Sequence, residues 1–266
     1  MGEWDSVDLS QEGAENKRIV HFKPVRVDKT GSYLVPMARQ RLIAFTGAGA
    51  SAESGISTFR DQGGLWEQYR IEDVATPEAW ARDPALVLNF YDMRRAQVAQ
   101  ALPNPAHLAI AGLEKHFDVD VITQNIDDLH ERAGSSRVLH LHGEIMKARS
   151  SADPDWIVPI NGTSLRIGDR CPMGSQLRPH VVWFGEEVPM MPVAAALVSK
   201  ADLLLIIGTS LNVYPAAGLI HYAPANCRIF LIDPHEVTVT RPGVVHIRRT
   251  ASTGVPELAA QLLEKR

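Results

Sequence analysis

From residue 41 onward, short apolar runs alternate with longer segments of helical period. The runs Arg41–Thr46, Val119–Thr123, Val138–Leu141, Leu203–Gly208, Arg228–Asp233 and Val244–Ile247 are rich in Val, Ile and Leu with little polar alternation. That is the pattern of strands covered on both faces of a parallel sheet. Between them, Thr76-Pro77-Glu78, Asp83-Pro84 and Asn104-Pro105 each put a capping side chain ahead of a proline at the first helical position. The last helix is expected from about Pro256 to Glu264. Strand and helix in alternation predict an α/β fold with a doubly wound, parallel, Rossmann-like sheet.

Two stretches break the rhythm. Residues 66–103 have helical character where a simple crossover carries one helix, and residues 144–180 are loop-like, with Pro154, Pro159, Gly162, Gly168, Pro172, Gly174 and Pro179. Both are expected to leave the main sheet and build a smaller module, with a ligand cleft between module and sheet. The expected division is a core of about 41–65, 104–143 and 181–266, a small module of about 66–103 and 144–180, and an N-terminal arm, 1–40, partly disordered.

Charge marks off that arm. Residues 1–16 carry Glu3, Asp5, Asp8, Glu12 and Glu15 and no Lys or Arg; residues 17–41 then carry seven Lys or Arg against Asp28. An acid-first start without an apolar stretch is unlike a transit peptide or a secretory signal. Over all 266 residues the net charge is −4, too small to gather nucleic acid or anionic membrane without a local patch. No apolar run approaches bilayer length, and two cysteines, Cys171 and Cys227, make no disulfide framework. The expectation is a cytoplasmic protein with no direct nucleic-acid or membrane partner.

Candidate chemistry gathers where strands end. Gly47-Ala48-Gly49-Ala50-Ser51-Ala52 satisfies the relaxed dinucleotide fingerprint. Gly47 would permit the tight turn, Gly49 would let backbone N–H groups reach a pyrophosphate, and the helix start would add partial positive charge. Alone this is a weak signal, shared with small-residue turns that bind nothing. Its continuation departs from a dehydrogenase: Gly55 breaks the helix after about one turn, and Phe59-Arg60-Asp61 with Gly63-Gly64 make a loop suited to folding over a cofactor. The second strand and ribose-gripping acid of a hydride-transfer enzyme are missing where they belong. Thr123-Gln124-Asn125-Ile126-Asp127-Asp128-Leu129-His130 follows the next strand, and its amides and acids are either ligand contacts or helix caps. His140 and His142 alternate on a strand and share a face. They could form a metal pair, pack plainly in the core, or supply a general base. Gly208-Thr209-Ser210 follows another strand and suits a phosphate or ribose contact.

Five motifs together, "GAGASAESGISTFRD", "TQNIDDLHERAG", "HLHG", "LRPHVVWFGE" and "IGTSLNVYPAAG", resemble the sirtuins, the NAD-dependent protein-lysine deacylases, in family order and spacing. The likeness runs from about residue 41 to 264. It implies that NAD is consumed as a co-substrate. The acyl-lysine oxygen attacks the ribose carbon bearing nicotinamide, forming an alkylamidate. His142, matching the family's general base, then activates a ribose hydroxyl. The products are lysine, nicotinamide and O-acyl-ADP-ribose. By resemblance Asn125 and Asp127 position the ribose and the carboxamide, with Gln124 and Ile126 beside them. Gly47, Ala48, Gly49, Ser51, Ala52 and Glu53 belong to the cofactor-binding loop, and Phe59, Arg60 and Trp66 to its continuation. Gly208, Thr209 and Ser210 serve the phosphate and adenosine side, Asp233 the adenosine ribose, and Ala251 lies near the adenine. Val182, Phe184, Gly185 and Glu186 on one side, and Val213 and Tyr214 on the other, resemble the edges between which an acyl-lysine peptide adds as a strand.

Two features refine the resemblance. Tyr91 and Arg94 sit three apart on a helix face and match the Tyr-x-x-Arg pair of the bacterial desuccinylase-type subgroup, where a guanidinium and a phenol suit an acyl carboxylate. Second, sirtuins usually carry four zinc-binding cysteines in the segment after His142. Here those positions read Arg149-Ser150-Ser151 and Cys171-Pro172-Met173. One thiolate makes no closed tetrahedral site, so no zinc is expected, and packing, with Trp156 and Trp183 as anchors, should hold the module. An ADP-ribosyltransferase on the same scaffold and a non-catalytic NAD-binding module remain alternatives. Retention of His142, Asn125 and Asp127 weighs against them.

Overall fold

The computed structural model describes residues 39–57 and 69–264, together with the backbone of 26–27 and 33–34. The chain divides into two units, Met1–Ala38 and Arg39–Arg266. In the first, β1 (Arg26–Val27) pairs antiparallel with β2 (Tyr33–Leu34). The strands of the second are β3 (Arg41–Thr46), β4 (Asp118–Thr123), β5 (Val138–His140), β6 (Gly143–Ser150), β7 (Ile157–Pro159), β8 (Leu177–Val181), β9 (Leu203–Ile207), β10 (Arg228–Ile232) and β11 (Val244–Ile247). Its described α-helices are α1 (Gly49–Ala52), α2 (Ile71–Val74), α3 (Pro77–Arg82), α4 (Pro84–Gln100), α5 (Pro105–Leu113), α6 (Leu129–Arg132), α7 (Met191–Val198) and α8 (Ala251–Glu264). A 3₁₀ turn spans Ala216–Tyr222.

Six parallel strands form one sheet in the order β11-β10-β9-β3-β4-β5. The chain winds outward from β3 through β4 to β5, then returns to β9 and winds the other way. The gap between β3 and β9 is therefore the switch point at which open α/β sheets bind ligands. Period-2 alternation splits the strands between two cores. Leu42, Ala44, Val121, Leu203, Leu205 and Ile232 face α5 and α8, while Ile43, Phe45, Ile122, Leu204, Ile206 and Leu231 face α7 and the 3₁₀ turn. Both faces being apolar explains why these runs showed no polar alternation.

All three expected caps form. The side chains of Thr76, Asp83 and Asn104 accept from the N–H groups of Ala79, Leu86 and Ala106 at 2.9–3.0 Å. Each such cap contributes about 1 kcal/mol. The last helix begins earlier than expected, at Ala251, with Pro256 inside it. An interior proline ordinarily breaks a helix, but here Ala251, Val255, Leu258, Ala259 and Leu262 all pack into the core against the sheet, and tertiary burial outweighs local preference.

The stretch 144–180 is more regular than expected. It contains a three-stranded antiparallel sheet, β7-β6-β8. Its longest strand alternates buried Gly143, Ile145, Ala148 and Ser150 with half-exposed neighbours. The glycines and prolines that suggested loop lie mostly between strands. This sheet packs on the helical excursion through two clusters. One joins Val87, Phe90, Tyr91 and Val98 to Ile145, Val181 and Trp183; the other joins Leu88 to Ala148, Leu165, Cys171 and Leu177, with Trp156 packed against it. Trp183 is held on three sides. Arg178 stacks 3.3 Å from its ring centroid, Trp80 lies 5.8 Å away, and its Nε1–H donates to Tyr91 Oη at 3.1 Å. Arg95, fully buried, donates to Asp92 at 2.5 Å and to the carbonyls of Ile145 and Thr163, stitching α4 to the second excursion. No helix among the described residues is long and apolar enough to cross a membrane.

Candidate active site

Small residues at the end of β3 let two loops interlock over the switch point. Gly47 N–H donates to Ile207 O and Gly49 N–H to Gly208 O, both at 2.9 Å. A Cβ on Gly49 would lie 2.8 Å from Gly208 Cα, and Gly208 itself has φ +59°. The N–H groups of Gly47 and Gly49 are thus committed to the neighbouring loop. The helix that follows is a single turn from Gly49 to Ala52, so its dipole is correspondingly small. Ala48 O accepts from Ser51 N–H within this turn.

Ser51 enters a polar network with the loop after β4. Asn125 Nδ2 donates to Gly47 O and to Ser51 Oγ, each at 3.0 Å, and Ser51 Oγ donates to Asp127 Oδ2 at 2.9 Å. The other Asp127 oxygen accepts Leu129 N–H at 3.2 Å, so one of its oxygens does serve as a cap while the other faces the network. Burial raises the Asp127 pKa, opposed by Leu129, Ser51 and the nearby His140. Gln124 Nε2 donates to Thr209 Oγ1 at 3.0 Å and joins this loop to the one after β9, where Ser210 is exposed.

The two strand-end histidines do not form a metal pair. Their Nδ1 atoms go to consecutive carbonyls of the β4 loop, His142 to Gln124 O and His140 to Asn125 O, both at 3.0 Å. With Nδ1–H spent on a carbonyl, neutral His142 keeps its lone pair on Nε2. Burial lowers its pKa, only partly opposed by the Gln124 contact. A neutral imidazole with one fixed donor and one open acceptor is the form a general base requires. Gly143, the next residue, has φ +82°, and a Cβ there would stand 2.2 Å from His180 O. Only glycine lets β6 leave His142 beneath β8.

Behind this loop lie His130, the last residue of its motif's polar run, and His107, which no motif singled out. His107 Nε2 lies 3.4 Å from Ser51 Oγ, and its Nδ1 accepts Asn104 N–H at 3.3 Å. His130 Nε2 lies 3.0 Å from Thr46 Oγ1, which donates to Thr123 Oγ1 at 2.8 Å. Burial lowers the pKa of both histidines, that of His107 to about 4. The one sequence signal for His107 was its place three residues after the Asn104 cap, which completes a capping box.

Tyr91 and Arg94 are both buried on α4, 4% exposed, so Arg94 is no surface arginine. Its Nη1 donates to Ser57 O at 3.0 Å. Burial lowers its pKa to about 10, opposed by Tyr91 and Asp127, so it remains a cation at neutral pH. Burial also raises the Tyr91 pKa and keeps the phenol protonated.

Other predicted positions are placed differently. Glu53, exposed, accepts Ser252 N–H at 2.9 Å and ties the glycine loop to the start of α8. Ala52 is half-buried, and the Ala251 methyl lies in the core. Ile126 packs beneath the loop, its carbonyl accepting Ile145 N–H at 2.8 Å. Asp233, at the end of β10, accepts His235 N–H at 2.9 Å. The Glu186 carboxylate is engaged by Arg149, Arg178 and Trp183 N–H at 2.8–3.2 Å, so its side chain serves the packing of this segment. Val182 N–H donates to His142 O, and Trp183–Glu186 is a turn with Gly185 at φ +90°. Phe184 and Tyr214 are exposed, and Val213 is half-buried. Phe59, Arg60 and Trp66 lie outside the described residues. Among the described residues no group of His, Cys, Asp and Glu could hold a metal ion.

Known proteins share this chain's sequence and fold. The Sir2 family model matches residues 47–215. A protein of Bacteroides thetaiotaomicron named NAD-dependent protein deacylase is 54% identical over 230 residues, covering 84% of this chain and 98% of that protein. One of the same name from Helicobacter pylori is 50% identical over 226 residues, covering 85% and 96%. Among solved structures, an ADP-ribose complex of a Sir2 homologue superposes with a TM-score of 0.80 at 40% identity, covering 85% of this chain and 93% of that one. An NAD complex of a Sir2 homolog gives 0.76 at 40% identity, covering 85% and 91%. A Sir2 complex with a deacetylated p53 peptide and 3′-O-acetyl ADP-ribose gives 0.72 at 28% identity, covering 85% and 94%. On sheet order, loop chemistry and relatedness together, this chain belongs to the Sir2 family.

Proposed function

We propose that this protein is an NAD-dependent protein-lysine deacylase that prefers acidic acyl groups such as succinyl, with His142 as its general base. The observation that carries the reading is the state of His142. It is held by Gln124 O, kept neutral by burial, and seated against the β4 loop, whose Gln124 side chain reaches Thr209 after β9. NAD, consumed as a co-substrate, supplies the activated glycosidic carbon. The hydroxyls and amides of Ser51, Gln124, Asn125, Thr209 and Ser210 suit a sugar and carboxamide. In this reading Asn125 and Asp127 orient the ribose and nicotinamide end, and Asp233 accepts from the adenosine ribose. His142 takes the proton from a ribose hydroxyl. The names of the relatives, and the ADP-ribose, NAD and peptide complexes among the structural neighbours, support this assignment.

The acyl preference rests on Tyr91 and Arg94, a buried phenol and cation on one helix face, with Arg94 close enough to Asp127 to feel its charge. A peptide substrate would lie between the Val182–Gly185 segment and Val213–Tyr214. The donor set at the usual zinc positions does not fit the metal. Cys171 lies beside hydroxyls, those of Ser150 and Ser175, rather than beside further thiolates. A packed core therefore stands in for zinc. The free thiols Cys171 and Cys227 suit a cytoplasmic setting.

Incubating the purified protein with NAD and matched acetyl-, succinyl- and glutaryl-lysine peptides tests the reading by mass spectrometry. Succinyl turnover should exceed acetyl, nicotinamide should appear in step with free lysine, and His142→Ala should abolish both. ADP-ribose transferred to protein without loss of an acyl group would sink the proposal.

A further inference from the structure

His140 differs from its neighbour in a way that the reaction just proposed does not use. Its Nδ1 faces Asn125 O at 3.0 Å, and its Nε2 faces Glu131 Oε1 at 2.8 Å. A carbonyl and a carboxylate both accept, so both ring nitrogens must carry hydrogen and the ring must be an imidazolium. A proton placed on the carboxyl instead would occupy the weaker base of the two. The histidine side chain is 8% exposed, while Glu131 at 41% reaches solvent. Two residues apart on one strand end, His140 and His142 thus hold consecutive carbonyls of the loop that carries Gln124, Asn125 and Asp127, one ring charged and the other neutral.

We propose that His140, kept cationic by Glu131, is a positioning residue that clamps Asn125 O and sets an alkaline limit on activity. The inference rests on the reading of Asn125 and His142 as sugar-facing groups. When the ring loses a proton, the remaining N–H stays with the carboxylate, because a charge-assisted hydrogen bond is the stronger. The Nδ1 lone pair then confronts Asn125 O, and the clamp is lost. The charged and titratable groups around His140 agree with its charge. Glu131 on α6, Glu144 on β6 and Asp127 in the loop favour the cation, while His130 stays neutral beside it and Lys147 bears on Glu131. Burial alone would pull the His140 pKa down, but the Glu131 contact outweighs it and holds it above the ordinary histidine range. The cation is therefore present below that raised value and lost as pH rises through it.

Nitrogen NMR of the full chain, paired with pH profiles of kcat/KM for nicotinamide release, tests this in wild type and Glu131→Gln. Both His140 ring nitrogens should be protonated at neutral pH, and the Ile126 amide, on the peptide whose carbonyl is clamped, should shift as His140 titrates. In Glu131→Gln that titration and the alkaline limb of kcat/KM should move together to lower pH, by about one unit. A singly protonated His140 ring at neutral pH would overturn the proposal. So would an NMR titration that moves while the alkaline limb stays put. A wild type that releases no nicotinamide at any pH would instead defeat the functional reading, and the Ile126 amide would still report on the clamp.

Discussion

Replacing Arg94 by Met removes the buried cation while keeping an unbranched apolar chain in place. An acyl carboxylate that lost a charged partner there would forfeit about 1.5–3 kcal/mol, the usual range for a hydrogen bond to a charged group. At about 1.4 kcal/mol per factor of ten, that is roughly a 10- to 150-fold drop in kcat/KM for a succinyl peptide. The acetyl substrate has no carboxylate. What it loses includes the Arg94–Ser57 contact, and Ser57 is exposed, so water can replace that donor. A loss of about 0.5–1 kcal/mol, or two- to fivefold, is expected. Because Arg94 is cationic well above neutral pH, the difference should persist across pH 6.5–8.5. Steady-state kinetics on matched succinyl and acetyl peptides at saturating NAD measures it. Equal loss on both substrates would show that Arg94 serves the loop and not the acyl group.

Other outcomes follow from the same geometry. Gly143→Ala forces a methyl to within 2.2 Å of His180 O at φ +82°. Denaturant melts should show a loss of at least about 2–3 kcal/mol. Arg95→Met leaves the buried Ile145 carbonyl without this donor and takes the ion pair from Asp92, which keeps Leu165 N–H and Ser164 Oγ, so a loss of about 1–3 kcal/mol is expected by the same melts. His107 titrates near 4 in the folded chain against about 6.5 unfolded. The unfolded chain binds the extra proton, so stability should fall by about 3 kcal/mol as pH drops from 6.5 to 4. His107→Asn should flatten that slope. Chelation should leave the melting temperature unchanged, and elemental analysis should find far less than one zinc per chain.

Much of this was legible along the chain. The strands, the three capped helix starts and the two excursions follow from side-chain chemistry that acts over a few residues: burial on two faces, an oxygen ahead of a proline, glycine as a breaker. The strand-end motifs carry the proposed site, since a loop at the carboxyl end of a parallel strand leaves the sheet facing a crevice. Long-range contact decided the rest. The glycine N–H groups are spent on the β9 loop because β9, some 160 residues away in sequence, lies against β3. Pro256 sits inside a helix because a whole face of α8 is buried. The Glu186 side chain serves packing because two arginines from other strands close on it. The opposite charge states of His140 and His142 depend on whether a carboxylate stands at the far nitrogen, and only the packing of α6 beside β5 puts one there.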